Sequence, residues 1–583
     1  MTAAGGPARS GPGDVTVPAG MRLAPDPGMR LVAGGTVLAG GSPVRVLRLT
    51  PAGARQVASW FAGAPVPASA SARALARRLL DAGIAHPDFT APGGRREDAG
   101  RAPGGGPADP ATAGSGRRFP AAADVTVVIP VRDRHAELAR CLSGLRGLPH
   151  VIVVDDASAD PLAIRRIAAA GGAAVIRRPV NGGPGAARNT GLNAANTELV
   201  AFLDSDCVPR PGWLDGLLPH FTDPAAGAVA PRIVPHEQGT GWLARYEGAS
   251  STLDMGARPS IVRPGARVSY VPGAALVVRR AAAGEGFRDG MYVGEDVDFV
   301  WRLSAAGWRV RYEPGAVMGH DHRVRFRAWF GRRADYGTSA AALDRLHPGS
   351  VRPLYASWWT AGAWAAALSG RPLTAAALTA TATALLARRL SRVTGERWPL
   401  PAGPAGNSSR RLRLAVPRSA AWDLAARLAG GGTIAAARPL GSAMSRTWWP
   451  AAIPAALAVR ELRLPVAALI LAPPLLDWAG RRPPLDPARY VAARLLDDAA
   501  YSLGVWQGCL ARRTVRPLLP VIGGRRQPGC SPVAANQSGD GGSARARGSA
   551  AAACHGGISR TTPKAVGGRA SGGDHGRAAN APL

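Results

Sequence analysis

Two aspartates one residue apart, Asp204 and Asp206, directly follow the apolar run Leu199–Leu203. Carboxylates at this spacing suit a hard divalent cation, which prefers oxygen ligands and can neutralise the charge of a diphosphate. A D-x-D pair on its own also occurs as a solvated turn after a strand, so this pair alone does not decide between the two interpretations. Further groups of matching chemistry are needed to favour the cation site.

Two features suited to a nucleotide lie earlier in the chain. Asp155 and Asp156 end the apolar run Val151–Val154, and a carboxylate there can accept hydrogen bonds from a base or a ribose. The segment Asn181–Gly191 is rich in glycine and leads into a helical pattern. Its backbone can approach a ligand closely, and the N-terminus of the helix favours an anion. Together they predict a ligand that carries phosphate.

A further acidic pair, Glu295 and Asp296, lies in a loop that leads into a helix predicted to begin at Val297. A carboxylate in such a loop could be the general base that accepts the proton of an attacking hydroxyl. The alternative is that both residues only cap the helix. The two roles are compatible, because a capping turn exposes its side chains.

The elements that must position these groups alternate along the chain. Strand patterns at Val125–Pro130, Val151–Val154, Ala174–Ile176 and Leu199–Leu203 are separated by helical patterns at roughly 25-residue spacing. This alternation predicts an α/β, doubly wound sheet, in which ligands bind at the carboxyl ends of the strands. Another core strand is predicted over Tyr270–Val278. The predicted helices are His135–Leu145, Pro161–Ala170 and Gly185–Ala195.

Five segments in this order resemble the inverting glycosyltransferases of family 2, which have the GT-A fold. They read VTVVIPVRDR, VVDDAS, NGGPGAARNTG, FLDSDC and GEDVDFVWRL. The resemblance covers the chain from Asp124 to His322 and implies a nucleotide-sugar donor with a divalent cation, Mg²⁺ or Mn²⁺. It implies Asp296 as the base, with Glu295 as the second choice, and Asp204 and Asp206 as ligands of the cation. The residues implied to bind the nucleotide sugar are Pro130, Arg132, Asp155, Asp156, Asn181, Gly182, Arg188, Asn189, Asp204, Trp301 and Arg302.

The segment His320-Asp321-His322 gives the resemblance one further implication. Related enzymes place a histidine near the metal, so either His320 or His322 is implied as an additional metal ligand. The spacing does not choose between them, and an exposed histidine pair is the alternative. The Q-x-x-R-W pattern of processive synthases does not occur in the sequence, and the nearest segment is Val300–Leu303. This argues against the synthesis of a long polysaccharide.

The layout of the whole chain resembles the mycofactocin glycosyltransferases of actinobacteria within family 2. The segments that carry this likeness are GGTVLAGGSPVRVLRLTPAG, WRVRYEPGAVMGHDHR and RADYGTSAAAL. It implies that glucose is transferred from UDP-glucose to premycofactocin, a peptide-derived precursor of a redox cofactor, and that the linkage formed is β. Residues 21–90, with short strands before two helices, are similar to small winged-helix domains that bind precursor peptides. They either dock the acceptor or serve as a structural cap.

Composition excludes several other function classes. The chain has a net charge of +32 with a single lysine, Lys564, which argues against Walker A loops, Schiff-base enzymes and kinases. The five cysteines contain no C-x-x-C pair, so a zinc ribbon or a disulfide framework is not expected. No nucleic-acid-binding signature occurs, and nucleic acid is not a predicted partner. The charge either serves anionic partners or reflects coding bias.

The C-terminal half is rich in alanine and leucine. The uncharged runs Leu354–Gly370 and Pro372–Ala387 fall just short of the ~20 residues of a membrane span. Nine of the fifteen tryptophans follow residue 350, and tryptophan beside short apolar runs suits a membrane interface. Residues 1–20 show no signal-peptide pattern. We therefore expect helices on the cytoplasmic face of the cell membrane, with a water-soluble helical domain as the alternative.

These patterns divide the chain into six segments. The predicted segments are 1–20 disordered, 21–90 the small α+β unit, 91–122 a linker, 123–350 the GT-A core, 351–515 a helical membrane-associated region and 516–583 a disordered basic tail. Two alternative functions share many of these features. One is a family 2 enzyme of the cell envelope with a lipid or polysaccharide acceptor, and the other is a non-catalytic scaffold that docks peptide and membrane.

Overall fold

The computed structural model describes residues 12, 15–89, 119–237, 239–392 and 418–523. All of these residues belong to one compact unit of the chain. The predicted linker 91–122 lies almost wholly outside them, as do most of the predicted disordered segments 1–20 and 516–583.

The N-terminal unit contains five short strands and two helices. They are β1 (Arg22–Pro25), β2 (Arg30–Val32), β3 (Val37–Gly40), β4 (Arg45–Arg48), α1 (Pro51–Phe61), α2 (Ala70–Ala82) and β5 (Ala85–Asp88). Strand β1 pairs with β5, and β2, β3 and β4 form a separate antiparallel sheet. Both helices bury apolar side chains, such as Trp60 and Leu79, in one core. The structure thus has the predicted strands and helices, together with the unpredicted β5, whereas the likeness to winged-helix domains stays a prediction.

Residues 15–20 also pack in this unit, although their composition predicts disorder. Val17 is completely buried, and its carbonyl accepts a hydrogen bond from Arg73 at 2.5 Å. The carbonyl of Val15 accepts another from Arg77 at 3.0 Å. The two valines are separated by a single threonine, a pattern too short to be recognised as a strand. The folded unit therefore begins before Met21.

A nine-stranded mixed sheet forms the centre of the following part of the chain. Its strands are β6 (Val125–Val131), β7 (Val151–Asp156), β8 (Ala174–Arg178), β9 (Leu199–Leu203), β10 (Cys207–Pro209), β11 (Ala226–Pro235), β12 (Ser260–Val262), β13 (Ala275–Arg279) and β14 (Arg309–His320). The strand order is β10-β14-β11-β13-β9-β6-β7-β8, with β12 beside β14. Strands β6 to β9 are parallel, whereas β13 is antiparallel to both of its neighbours. This confirms a GT-A-like α/β core. The predicted half of the sheet is parallel throughout, whereas the other half is mixed, since β11 and β14 also pair in parallel.

The chain changes direction in the sheet between β6 and β9. It moves outward from β6 to β8 and then returns to the other side of β6, where Val128 pairs with Phe202. The carboxyl ends of β6 and β9 therefore flank a topological switch point, the usual place for a ligand in an open α/β sheet. Pro130 lies at the end of β6, and Asp204 directly follows β9.

Helices cover both faces of this sheet. They are α3 (His135–Ser143), α4 (Pro161–Ala170), α5 (Gly183–Ala194), α6 (Trp242–Ser250), α7 (Arg280–Ala283), α8 (Glu295–Ala305) and α9 (Phe326–Leu346). Leu138 and Ile164 of α3 and α4 pack on one face, and Leu192 and Phe299 of α5 and α8 pack on the other. Helix α8 begins two residues before the predicted Val297. Three acidic residues in its first turn favour this start, because they oppose the positive end of the helix dipole.

The C-terminal region is helical, as predicted. Its helices are α10 (Trp358–Leu368), α11 (Pro372–Arg392), α12 (Arg418–Ala425), α13 (Gly432–Ala435), α14 (Ala437–Ala443), α15 (Trp449–Ala458), α16 (Arg463–Arg481) and α17 (Pro487–Ala511). Ala426–Gly431 and Met444–Trp448 are π-helical. Strand β15 (Tyr355–Ala356) pairs with β16 (Val521–Ile522). Residues 516–523 are thus ordered, although the composition predicts a disordered tail from residue 516.

Helices α9 and α17 contact each other through their backbones. A Cβ atom on Gly504 would lie 1.8 Å from the carbonyl oxygen of Ala334, and one on Gly337 would lie 2.1 Å from that of Tyr501. Arg333 of α9 forms an ion pair with Asp497 of α17 at 3.0 Å. Any side chain at the two glycines would push the helices apart. Helix α17 is therefore joined directly to the last helix of the core.

The N-terminal unit is joined to the core by a buried ion pair. Arg77 of α2 donates hydrogen bonds of 2.8 and 2.6 Å to the carboxylate of Asp223, which precedes β11. The ring of Phe89 packs edge-on against His220 at a centroid distance of 4.9 Å. These contacts hold the unit on the core, on the side of α2 and β5.

One helix within the described ranges, Arg460–Arg481, is long and apolar enough to cross a membrane. Its apolar window has a mean hydropathy of 1.4, and 17% of it is buried. Leu464 and Leu476 are among its exposed side chains. By length and composition alone this is weak support for a span, and the membrane association stays a prediction.

Candidate active site

A cavity of about 850 Å³ opens at the switch point. The ends of β6 and β9, the first turns of α5 and α8, and helix α9 line it, and Arg446 and Tyr501 of the C-terminal region also contribute. Four of the predicted site residues do not line it, namely Asp155, Gly182, Asn189 and Arg302. The predicted site residues that do are Pro130, Arg132, Asp156, Asn181, Arg188, Asp204, Asp206, Glu295, Asp296, Trp301, His320 and His322.

Asp156 organises the glycine-rich turn. Its carboxylate accepts hydrogen bonds from the backbone amides of Gly182 and Gly183, at 3.0 and 2.8 Å, and from Arg178 at 2.8 Å. Asn181 accepts a bond from the same Gly183 amide at 3.0 Å. The carboxylate thus holds the turn against the end of β7, and little of its hydrogen-bonding capacity is left for a ligand.

Asp155 has a structural environment. It is buried and accepts hydrogen bonds from the amide of Ser158 at 2.8 Å and from Arg177. Burial raises the pKa of this carboxyl, but the bonds from Ser158 and Arg177 outweigh that effect and lower the pKa below its usual value. Asp155 is therefore a charged anchor of the loop after β7, and its predicted contact with a nucleotide stays a prediction.

Gly182 and Asn189 line a neighbouring cavity of about 600 Å³. Asn189 donates to the carbonyl of Phe287 and accepts from its amide, both at 2.7 Å. These bonds fix the segment that precedes α8. Arg132 lies at the main cavity, half-exposed and 3.7 Å from Asp133, so its side chain is free to turn towards a ligand.

Arg188 connects two of the predicted functional elements. Its Nη2 donates to Asp204 at 2.6 Å, and its Nη1 donates to Glu295 at 2.9 Å. The arginine is buried, and a guanidinium offers donors in a fixed plane that can serve two carboxylates at once. The sequence placed Arg188 in a nucleotide pocket, and the structure places it between the D-x-D segment and the start of α8.

Asp206 lies against cationic partners. Arg134 forms an ion pair with one oxygen, and the Nε2 atom of His320 lies 3.4 Å from the other. Burial raises the pKa of this carboxyl, but His320 and Arg134 reverse the effect and hold the pKa well below the usual range. Arg134 was not singled out in the sequence, because it follows β6 by only a few residues and pairs with a residue 72 positions away.

The two candidate bases are held differently. Asp296 accepts hydrogen bonds from the amides of Gly273 and Val297, both at 2.8 Å, and lines the cavity. Glu295 is buried, and burial together with the charge of Asp296 raises its pKa to about 7, although Arg188 opposes the rise. Gly273, whose amide orients Asp296, lies in the turn Pro272–Ala274, for which the sequence predicts either a turn that faces the acceptor or a bulge in the strand.

The structure separates the two histidines. His320 lies beside Asp206, whereas the Nε2 atom of His322 lies 2.7 Å from Ser251 Oγ and its Nδ1 atom lies 2.9 Å from the carbonyl of His320. Burial and the neighbouring His320 lower the pKa of His322 to about 4. Both ring nitrogens of His322 are thus engaged within the protein, and His320 is the histidine beside the carboxylates.

Trp301 lines the cavity, whereas Arg302 lies outside it. The indole of Trp301 donates to the carbonyl of Ser269 at 2.7 Å. Arg302 donates to Asp298 at 2.8 Å and to the carbonyl of Gly286 at 2.6 Å. These bonds fix α8 against the segments on either side of it, and the predicted contacts of both residues with the sugar donor stay predictions.

The side chains beside the D-x-D segment have the chemistry of a partial cation site. Within the described ranges, no three or more His, Cys, Asp or Glu side chains are grouped to enclose a metal ion. Asp204, Asp206 and His320 nevertheless provide carboxylate oxygens and one imidazole nitrogen. A small set of protein ligands suits a cation that binds chiefly through substrate phosphates. The residues present therefore fit Mg²⁺ or Mn²⁺ bound together with a diphosphate.

The comparison with known proteins gives the family. The family model for glycosyl transferase family 2 matches residues 126–285. Over 516 residues the chain is 39% identical to the pre-mycofactocin glycosyltransferase of Mycobacterium tuberculosis, which covers 87% of this chain and 98% of that protein. The chain belongs to glycosyltransferase family 2. This family 2 glycosyltransferase shares with that relative a length of sequence that extends well outside residues 126–285.

Other similarities of the family 2 glycosyltransferase are shorter. It is 43% identical over 103 residues to the succinoglycan biosynthesis protein ExoW of Rhizobium meliloti, covering 16% of this chain and 32% of that protein. It is also similar to the solved structure of the mannosyltransferase PcManGT from Pyrobaculum calidifontis in complex with GDP-Man and Mn²⁺. That match has 23% identity and a TM-score of 0.31, and covers 45% of this chain and 75% of the other.

Proposed function

We propose that this enzyme transfers glucose from UDP-glucose to premycofactocin with inversion, forming a β-linkage. The observation that carries the proposed reaction is one cavity that both Asp296 and Asp204 line, in which Arg188 bridges Asp204 and Glu295, the neighbour of Asp296. The acceptor is supported by the 39% identity to a pre-mycofactocin glycosyltransferase over almost its entire length. UDP-glucose and the β-linkage follow from the resemblance of the whole chain to that group.

The proposed chemistry is a single displacement at the anomeric carbon. An acceptor hydroxyl gives its proton to Asp296 while its oxygen bonds to the anomeric carbon. The bond from that carbon to the diphosphate oxygen breaks, and UDP leaves with the electron pair. The backbone amides of Gly273 and Val297 hold the carboxylate in place, so that little reorganisation accompanies proton transfer.

Glu295 is assigned a positioning role. Burial and the charge of Asp296 raise its pKa, and it contacts Arg188 at 2.9 Å. A buried carboxyl with this partner is better suited to orient the guanidinium than to receive a substrate proton. In this proposal Arg188 in turn fixes Asp204 at the mouth of the diphosphate site.

Asp204, Asp206 and His320 would hold Mg²⁺ or Mn²⁺. Such a cation, when bound, neutralises the charge that develops on the departing diphosphate. Arg134 and Arg188 keep the two carboxylates in place. The donor set leaves the remaining coordination positions to phosphate oxygens.

UDP release from a panel of UDP-sugars, with Mn²⁺ or Mg²⁺ and with or without premycofactocin, tests this function. We expect release from UDP-glucose that depends on the acceptor, and a product with a β-linkage by NMR. Asp215 is exposed and does not line the cavity, so Asp215→Asn is the matched control for Asp296→Asn.

The same assay separates the alternatives. Slow release without response to premycofactocin, combined with transfer to a lipid or polysaccharide acceptor, would favour an envelope enzyme. No release from UDP-, GDP- or dTDP-sugars, together with no calorimetric binding of them, would favour the non-catalytic scaffold.

We further propose that the C-terminal helices bind the cytoplasmic face of the membrane. The support is the exposed apolar surface of α16, including Leu464 and Leu476, beside arginines at both ends of the helix. Flotation with vesicles should recover more protein on anionic phosphatidylglycerol than on phosphatidylcholine, and Leu464→Glu with Leu476→Glu should reduce recovery. Leu162→Glu, on an exposed leucine of α4, is the control. Equal recovery of all proteins would contradict membrane binding through α16.

A further inference from the structure

The active-site cavity is lined by Tyr270, Tyr292, Tyr336 and Tyr501. Tyr270 and Tyr501 are half-buried in the active-site cavity, and their hydroxyls form no hydrogen bond with the described part of the chain. Neither hydroxyl is among the completely buried polar atoms that lack a partner, so both are open to a ligand or to water in the cavity. Four other tyrosine hydroxyls do bond within the protein, namely those of Tyr246, Tyr312, Tyr355 and Tyr490.

The surroundings of Tyr270 place this pair beside the proposed base. The groups close enough to influence its pKa are Tyr501, Arg446, Asp296 and Tyr336. Burial raises the pKa of Tyr270 to about 12, so at neutral pH the phenol is uncharged and can donate a hydrogen bond. Substrate oxygens near Asp296 therefore have phenolic donors within the same cavity.

Arg446 adds a fixed cation to this cluster. Its guanidinium lies over the ring of Tyr501, 4.4 Å from the centroid, and its Nε atom lies 3.6 Å from Asp498 Oδ1. Arg446 comes from the π-helical segment Met444–Trp448, and Tyr501 comes from α17. Both belong to the region beyond residue 350, outside the residues matched by the family model.

We propose that Tyr270, Tyr501 and Arg446 form an acceptor subsite, which binds a flat ring that carries oxygen substituents. Phenol rings and a guanidinium plane present flat faces suited to stacking. Their hydroxyl and N–H groups supply donors for oxygens at the edge of that ring. The acceptor subsite rests on the proposed function, because it selects the acceptor for the reaction at Asp296.

Kinetics of the full-length enzyme with premycofactocin test the acceptor subsite. Tyr501→Ala and Arg446→Ala should each raise the KM for the acceptor about tenfold, the effect of losing one stacking or cation–π contact. The KM for UDP-glucose should change much less than the KM for the acceptor. Thermal unfolding curves that match the wild type should exclude general unfolding as the cause. Arg489→Ala, on an exposed arginine of α17, is the matched control.

A binding measurement tests the acceptor subsite independently of whether premycofactocin is the acceptor. By calorimetry, the wild type should bind 4-nitrophenyl β-glucoside more tightly than methyl β-glucoside, and Tyr501→Ala should lose the preference while Tyr501→Phe keeps it. If premycofactocin is not glycosylated but this pattern holds, only the proposed function fails. If the wild type shows no aryl preference, or both alanine variants match the wild type in acceptor KM, the acceptor subsite is wrong.

Discussion

Arg188 and Glu295 form a buried ion pair in which Nη1 lies 2.9 Å from Oε1. The second Nη of the same guanidinium lies 2.6 Å from Asp204. One arginine on α5 thus fixes the distance between the carboxylate after β9 and the first turn of α8. The geometry of the cavity therefore depends on the shape of the side chain at position 188 as well as on its positive charge.

Arg188→Lys should lower kcat about 100-fold, because a single ammonium cannot span both carboxylates and small displacements of reacting groups have effects of that size. Initial rates of UDP release measure the change. Arg165→Lys, on an exposed arginine of α4, should match the wild type. A rate for Arg188→Lys within a factor of about two of wild type would contradict the bridging role.

Asp296→Asn should lower kcat about 10³-fold, since the amide retains the shape of the carboxylate but cannot accept the proton. Binding of UDP-glucose, measured by calorimetry, should be unchanged. Asp215→Asn should retain full turnover. Full turnover of Asp296→Asn would remove this residue as the base and return the role to Glu295.

Chelation should abolish transfer, and Mn²⁺ or Mg²⁺ should restore it. Asp204→Ala should weaken the binding of UDP-glucose and make the remaining affinity independent of added cation, because part of the ligand set is lost. The measurement is calorimetry with and without Mn²⁺, and Asp215→Ala should show the wild-type response. Wild-type transfer that persists in excess chelator would refute the role of the cation.

The loss of folding stability at low pH should depend on the carboxylate of Asp298. His347 and Arg302 each contact its carboxylate at 2.8 Å, and although burial opposes them, these bonds lower the pKa to about 2 from the ordinary 3.8. The native carboxyl is thus harder to protonate than the unfolded one. Its stabilisation, about 2 kcal/mol by linkage, is present above pH 4 and lost as the pH falls towards 2.

Urea unfolding at several pH values between 6 and 3 measures this dependence. The free energy of unfolding of the wild type should fall more steeply with acid than that of Asp298→Asn, whereas Asp215→Asn should follow the wild type. Parallel curves for wild type and Asp298→Asn would show that the carboxylate has no such linkage.

The parallel half of the sheet was predictable because each of its strands is a short apolar run followed by a motif. The strand patterns at Val125–Pro130 and Leu199–Leu203 coincide with β6 and β9 to within a residue. The mixed half has weaker local signals. Strand β13 begins at Ala275 rather than Tyr270, because the intervening turn orients Gly273 towards Asp296.

The site residues that could be predicted are those that lie within a recognisable sequence motif. Asp204, Asp206 and Asp296 are of this kind, and the structure brings them to one cavity. Arg446 and Tyr501 gave no signal, since they reach the cavity that Asp296 lines from positions far along the chain, without a motif of their own. The composition of their region is rich in alanine and leucine, and a few polar side chains that line the cavity do not change that average composition.

The glycine contacts between α9 and α17 set a limit on modular engineering of this enzyme. Their backbones meet at Gly337 and Gly504, and α17 supplies Tyr501 to the cavity wall. A chimera that exchanged only the segment matched by the family model, residues 126–285, would therefore join a foreign α5 and most of a foreign sheet to a cavity wall shaped for another partner. Grafts that carry α9 and α17 together preserve the fitted surface, which makes this helix pair the natural unit of exchange.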